Sequence, residues 1–201
     1  MRIQNNPINY YSSRISYDLG KPMFKGSVPV ETIKHYNLGM MQNGYVGKVK
    51  VLKSTGEEAI LNVHKRASNM EEIYSLKDDI GNIIGEIVFK IRKTLWETKD
   101  DVSHIYVDEL RNYSNSSTPY YTKGLEEYNQ IGTRLLQIAQ RRSDECMLNG
   151  NIQLISKNES LGFYRKLGFK QIPQTSHYDN PNRMYLPSEA KDSLSKMYGG
   201  L

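Results

Sequence analysis

Hydrophobic and polar residues alternate in five segments of the first half of the chain. In residues 45–53, for example, Val49 and Val51 alternate with lysines, which is typical of a strand with one buried face. The intervening residues 54–57 and 78–82 have the Gly, Asn, Asp and Ser content of hairpin turns. The pattern therefore predicts antiparallel strands over residues 45–53, 59–65, 71–77, 83–92 and 102–110.

The spacing of apolar residues becomes helical from Tyr128. One stripe of a helix collects the apolar residues Ile131, Leu135, Ile138 and Ala139. We expect this helix to end at Asn149-Gly150, where a left-handed φ is tolerated. The elements predicted after it are a strand over 151–156, a short helix over 158–167 capped by Asn158, and strands over 169–172 and 183–186. This order predicts an α/β (α+β) fold, with helices on a mixed, mostly antiparallel twisted sheet.

Composition divides the chain into three regions. Residues 1–43 are rich in Asn, Ser, Tyr and Gly and contain three prolines, so we expect a polar, partly disordered extension. Residues 44–187 form the predicted domain, and residues 188–201 a polar tail. Inside the domain, the polar segment 112–127 is long enough for a lid or binding loop.

Charge and hydropathy restrict the possible partners. The 201 residues carry a net charge of +5, of which +3 lies in the first 43 residues. The remainder lacks the basic footprint of a nucleic-acid reader, which disfavours a nucleic-acid partner. No apolar run approaches the roughly 18 residues that span a bilayer, and the N-terminus lacks the apolar stretch of a signal peptide. We therefore expect a cytoplasmic protein without a membrane partner.

Cysteine and histidine give no sign of a metal or disulfide site. Cys146 is the only cysteine, which excludes a disulfide within the chain. The four histidines are scattered and do not have the spacing of metal ligands. We expect no metal.

Two later segments carry the candidate chemistry. Residues 128–136 (YNQIGTRLL) place Gly132 where the predicted long helix begins, and residues 163–169 (FYRKLGF) cover most of the second helix. Together, with a predicted strand between them, they resemble the two signature segments of the GNAT superfamily of acyl-CoA-dependent N-acyltransferases. The resemblance implies a GNAT-like fold and an acetyl-CoA-dependent N-acetyltransferase that transfers the acyl group directly to a primary amine of a small molecule or peptide.

The resemblance implies that the first segment holds the coenzyme diphosphate through backbone N–H groups, as a helix N-terminus can. The residues concerned are Gln130, Ile131, Gly132 and Thr133. Glycine at 132 would let phosphate approach the backbone, and Asn158 would help to hold the pantetheine arm. Of the three positions that the family's phosphate loop usually conserves, only Gly132 matches, and we expect the carboxylate of Glu127 to turn away from the ligand.

The resemblance also assigns the proton donor. Tyr164 would protonate the departing thiolate, since a phenol pKa near 10 and a thiol pKa near 8.5 allow the transfer without a large shift. Backbone N–H groups around Glu109 and Leu110 would stabilise the oxyanion. Asp108 and Glu109 are candidate general bases that could also steer a cationic acceptor. Neighbours on a strand point to opposite faces, so at most one should line the cleft.

Other functions stay open at this point. The family tends to carry two helices between its first and second strands, where this chain has a hairpin, so the acceptor pocket does not carry over. One alternative is a non-catalytic GNAT-like module with weakened coenzyme binding. Another is an RNA- or ribosome-associated protein, suggested by a pI near 9.1 and the 15 tyrosines. Taken singly, Tyr164 is also typical of a core aromatic residue.

Overall fold

The computed structural model describes residues 37–68, 70–93, 102–174, 180–199 and 201. Within these ranges, nine strands form one sheet in the order β6-β1-β2-β3-β4-β5-β7-β9-β8. The strands are β1 (Gly44–Lys53), β2 (Glu58–Ala67), β3 (Glu72–Lys77), β4 (Ile83–Arg92), β5 (His104–Asn112), β6 (Tyr128–Asn129), β7 (Ile152–Ile155), β8 (Lys170–Gln171) and β9 (Arg183–Leu186). The helices are α1 (Ile131–Glu145), α2 (Leu161–Lys166) and α3 (Ser188–Lys196).

The sheet is antiparallel except at one place among the described strands. Strands β1 to β5 follow one another as antiparallel neighbours, whereas β5 and β7 run parallel. The predicted fold class, a mixed and mostly antiparallel sheet with helices, is confirmed. The five early strands lie where alternation predicts them, with ends that differ by at most two residues. The β1–β2 hairpin, in place of the two helices common in the family, is also confirmed.

The core lies between one face of the sheet and α1. Side chains that alternate along the strands, such as Val49, Leu61 and Phe89, are almost fully buried on this face. They meet the apolar stripe of α1, whose Leu135 and Ile138 are inaccessible to solvent. No helix among the described residues is long and apolar enough to cross a membrane.

Helix α1 is shorter at both ends than the apolar pattern predicts. Tyr128 and Asn129 pair with β1 as strand β6, and Gln130 takes a left-handed φ of 69°, so the helix begins at Ile131. At its other end the left-handed residues Met147 and Asn149 follow the last helical turn. The helix therefore ends at Glu145, before the predicted Asn149-Gly150 stop.

The prediction that Asn158 caps the second helix is wrong. Residues 158–160 form a 3-10 turn before α2, and neither this turn nor α2 has a side-chain cap. The Asn158 side chain is turned elsewhere, because its Oδ1 accepts a hydrogen bond from Asn182 Nδ2 at 2.6 Å.

The segment expected to be a polar tail contains helix α3. Leu194 on this helix is fully buried. Its carbonyl and that of Met197 accept hydrogen bonds from Gln137 Nε2 of α1, at 2.8 and 2.9 Å. One buried leucine among polar residues gives only a weak apolar pattern, so the docking of α3 depends on partners that α1 provides.

Residues 37–43 also belong to the folded unit, although the sequence places them in the extension. The carboxylate of Glu145 accepts hydrogen bonds from the amides of Leu38 and Gly39, at 2.8 and 2.9 Å. The buried ammonium of Lys65 donates to the carbonyls of Leu38 and Met41, at 2.6 and 3.1 Å. This clamp fixes the segment at the C-terminal end of α1. The predicted disorder of residues 1–36 falls outside the described residues.

Candidate active site

A cavity of about 520 Å³ lies where β5 and β7 separate. The last parallel pair is Val107↔Leu154, after which β7 ends at Ile155 and β5 continues to Asn112. The cavity is lined by the end of β5, the start of α1, the loop around Tyr120, and part of α2. The two sequence segments singled out above are therefore brought together around one space.

The backbone of Leu110 faces this space. The backbone N–H of Tyr113 donates a hydrogen bond to the Ile84 carbonyl of β4 at 2.9 Å. Successive N–H groups along an antiparallel strand point alternately toward and away from the neighbouring strand. Counting back from Tyr113, the Leu110 N–H points away from β4 and toward the side on which β7 has ended. This orientation agrees with the expected role of the Leu110 amide at an oxyanion.

Asp108 and Glu109 both line the cavity, so the prediction that at most one of them could do so is wrong. The reason is a β-bulge: Val88 pairs with Glu109 and the next residue of β4 pairs with Val107, which leaves Asp108 as an extra residue. Asp108 is 3.0 Å from Lys90, and Glu109 forms an ion pair with Arg111.

The first turn of α1 presents free backbone donors to the cavity. The first helical hydrogen bond runs from the Arg134 N–H to the Gln130 carbonyl, so the amides of Ile131, Gly132 and Thr133 have no acceptor within the helix. The helix has no side-chain cap and no acidic residue in its first turn. Since these residues line the cavity, this end of it favours an anion.

Gly132 lies against the ring of Phe163, another residue that lines the cavity. A Cβ placed on Gly132 would lie 2.9 Å from Phe163 Cζ. The space beside this glycine is therefore occupied by the ring, whereas the sequence suggests that it is left open for phosphate.

Tyr164 is buried at the wall of the cavity, with 8% of its surface exposed. Its ring makes edge contacts with Phe163 and Phe169, at centroid distances of 5.1 and 5.6 Å. Burial, with a smaller contribution from Tyr120, raises the pKa of Tyr164 to about 12. The expectation of an ordinary phenol pKa is therefore wrong, and Tyr164 is a weaker acid.

Sequence reasoning missed several lining residues, among them Tyr120 and two cations beside it. The Arg111 guanidinium lies 5.8 Å from the Tyr120 ring centroid, and the Lys157 ammonium 5.3 Å. Arg111 also pairs with the buried Glu86 at 3.2 Å. The polar composition of segment 112–127 indicates a binding loop, but it does not indicate which of its side chains face a ligand.

One predicted site residue, Asn158, lies apart from the cavity lining. Asn158 is exposed and bound to Asn182. Glu127 is also exposed, and its side chain is not part of the lining, as expected of a carboxylate that turns away. Within the described ranges, no three His, Cys, Asp or Glu side chains are grouped so that they could hold a metal ion.

No family model matches the sequence, and no curated protein does. Among solved structures, the chain is similar to the KacTA–DNA complex (16% identity, 64% of this chain and 74% of that one, TM-score 0.45). Another is an acetyltransferase of the GNAT family from Staphylococcus aureus Mu50 (18% identity, 57% of this chain and 65% of that one, TM-score 0.39). A third is AtaTR bound with AcCoA (14% identity, 62% of this chain and 72% of that one, TM-score 0.43).

These similarities concern the fold. They give no support to the expectation that nucleic acid is not a partner. The chain's own mixed sheet, with α1 between its two parallel strands and both motif segments at one cavity, has the GNAT-like arrangement that the two motifs indicate.

Proposed function

We propose that this protein is an acetyl-CoA-dependent N-acetyltransferase that acetylates a primary amine by direct transfer within a ternary complex. One observation carries the proposal. A single cavity is lined by the free amides at the start of α1, by the β5 backbone beyond its parallel partner, and by the Tyr164 side chain.

The residues of the cavity suit acetyl-CoA, which supplies an activated acyl thioester. The amides of residues 131–133 offer an anion site for the diphosphate. Lys157 adds a cation to the lining, whereas the charge of Arg111 is already paired with Glu86 and Glu109. A volume of about 520 Å³ is within the usual range of ligand pockets, roughly 300–1,000 Å³. The Leu110 N–H is directed so that it can stabilise negative charge on the thioester oxygen during attack.

The bulge provides two candidate bases for the attacking amine. Glu109 is the more accessible, with 42% of its side chain exposed against 26% for Asp108. We assign the base to Glu109, which would take the proton that the amine loses. Glu109→Gln should then change the pH–rate profile, whereas Asp108→Asn should keep its shape. If the pH–rate profile is unchanged in both variants, the general base is not on this strand.

Tyr164 is the group that we assign to stabilise the departing thiolate. With a pKa of about 12 it is fully protonated at neutral pH. Complete proton transfer to a thiolate of ordinary pKa 8.5 is uphill by about 3.5 pKa units, or about 5 kcal/mol. We therefore assign Tyr164 first as a hydrogen-bond donor to the developing thiolate, with its proton replaced from water if transfer is completed.

Coenzyme binding tests the proposal before any acceptor is known. At 100 times its Kd, acetyl-CoA should stabilise the fold by about 2.7 kcal/mol. For a chain of this length, the expected rise in Tm is about 5 to 10 °C. If millimolar acetyl-CoA leaves the Tm unchanged, the proposal is wrong and the non-catalytic alternative is favoured. If binding is seen, a panel of amines screened by thiol release would identify the acceptor class.

A further inference from the structure

Phe163 connects the two parts of the proposed site. Its ring lies against Gly132 at the start of α1, and its neighbour on α2 is Tyr164. We propose that Phe163 is a positioning residue: its ring, seated on Gly132, sets the separation between the first-turn amides of α1 and the Tyr164 hydroxyl. The inference rests on the proposed transferase function, and it assigns Gly132 a different reason from phosphate approach.

The contact is close enough that a side chain at position 132 would displace the ring. A Cβ at position 132 would be 2.9 Å from Phe163 Cζ, nearer than carbon atoms pack without movement. Gly132 is inside a helix, where alanine is the better helix former. Its missing side chain is therefore explained by the ring beside it, because the ring would have to move to make room.

A second glycine follows the C-terminal end of α2 and lies against α3. Gly168 has a φ of 92°, and a Cβ placed there would lie 2.8 Å from the Cβ of Ala190 on α3. Helix α3 is in turn bound to α1, since Gln140 Nε2 donates to the Lys191 carbonyl at 2.6 Å. Helix α2 thus touches α1 directly through Phe163, and the residue that follows its C-terminal end touches α3, which is bound to α1.

The exposure of Phe163 distinguishes it from an ordinary core aromatic. Phe169 is 3% exposed, whereas Phe163 is 36% exposed and lines the cavity. One edge of its ring meets Gly132, while part of its surface remains open toward the cavity. A side chain in this position transmits any change at Gly132 to the place where the ligand binds and to the adjacent Tyr164.

A double-mutant cycle at positions 132 and 163 separates the two reasons for glycine. The measurement is the Kd of coenzyme A by titration calorimetry for the full chain, Gly132→Ala, Phe163→Ala and the double variant. We expect Gly132→Ala to weaken binding at least tenfold, because the ring is pushed into the cavity. In the Phe163→Ala background the same change should alter Kd less than twofold.

A spectroscopic readout tests the link to Tyr164. In protein labelled with 13C at tyrosine Cζ, the Tyr164 resonance is assigned by its loss in Tyr164→Phe. Displacement of the ring in Gly132→Ala should admit water and lower the pKa of Tyr164 toward its ordinary value. Gly162→Ala, on α2 beside Phe163, is the control glycine-to-alanine change, because a Cβ there meets no atom within 4 Å. It should change neither readout.

The outcomes are distinct. If Gly132→Ala weakens binding equally with and without the Phe163 ring, the glycine serves ligand approach and the inference is overturned. An unchanged Tyr164 pKa in Gly132→Ala would also overturn it. If the unaltered protein does not bind coenzyme A at all, the proposed function fails and this inference with it.

Discussion

At the scale of single residues, Tyr164 combines deep burial with a hydroxyl at a cavity. Its pKa of about 12 means that it stays protonated near neutral pH. A donor that is always protonated produces no titration of its own in a rate profile near neutral pH. Any fall in rate with rising pH near neutrality therefore reports the titration of another group.

Removing the Tyr164 hydroxyl should separate chemistry from binding. We expect Tyr164→Phe to lower kcat by about 100-fold, the lower end of the range for a positioned proton donor, because the departing sulfur loses its partner. The Kd for coenzyme A should change less than threefold, since the ring remains. Tyr121→Phe, at an exposed tyrosine that does not line the cavity, is the control. Full turnover by Tyr164→Phe would exclude the assigned role.

Local sequence identifies Gly132 and Tyr164 because both lie in short motifs. It does not show that Asp108 and Glu109 share a cavity, because their orientation depends on a bulge set by pairing between β4 and β5. It also does not show the Phe163–Gly132 contact, which joins residues from two helices. The residues that sequence finds are those whose role is local, and those it misses depend on long-range register.

At the scale of elements, the unbonded amides of α1 are the feature on which the coenzyme site depends. Gln130→Glu would add a negative charge at this helix terminus. The helix dipole should make the change neutral or stabilising by about 0.3–1 kcal/mol in chemical unfolding. The same charge should repel the diphosphate and raise the coenzyme Kd at least tenfold, with a smaller effect at high salt.

The control for Gln130→Glu changes a carboxylate outside the cavity lining. Glu127→Gln removes an exposed charge close in sequence but outside the cavity lining, so it should change the coenzyme Kd less than twofold. Equal effects of the two variants would show that only the general charge of this region matters. In that case the first turn of α1 would not be the diphosphate site.

Helix α3 should be a structural part of the domain. Leu194 is fully buried, so Leu194→Ala should lower the free energy of unfolding by about 2 to 5 kcal/mol. Ser193→Ala, at an exposed position of the same helix, should change it by less than about 0.5 kcal/mol. Urea unfolding followed by circular dichroism measures both. A small effect of Leu194→Ala would support the tail that composition suggests.

At the scale of the whole molecule, buried tyrosines should make the protein sensitive to alkali. Burial raises the pKa of Tyr74, with Glu72 adding to the shift, and raises the pKa values of Tyr128 and Tyr164 to about 12. Above about pH 10 the unfolded chain loses these protons while the folded protein keeps them. Stability should therefore fall with rising pH, by up to about 1.4 kcal/mol per pH unit for each tyrosine.

Lys65 has the opposite effect on the pH dependence of stability, at lower pH values than the tyrosines. Its burial lowers its pKa, so stability rises with pH until the ordinary value of 10.5 is reached. The fall due to tyrosine is thus clearest between pH 10.5 and 12, in urea unfolding at several pH values. Tyr164→Phe should make this slope shallower, whereas Tyr121→Phe, at an exposed position, should keep it. A slope unaffected by Tyr164→Phe would contradict the assigned shift.

The separation of β5 from β7 also has a consequence for how the chain reaches its native state. Strands β1 to β5 join sequential neighbours, so their contacts are short in sequence, whereas the parallel pair Ile105↔Ile152 closes a long loop that contains α1. Contacts of high sequence separation are kinetically demanding. During refolding, we therefore expect the capacity to bind coenzyme to return later than the protection of β1 to β5 against hydrogen exchange.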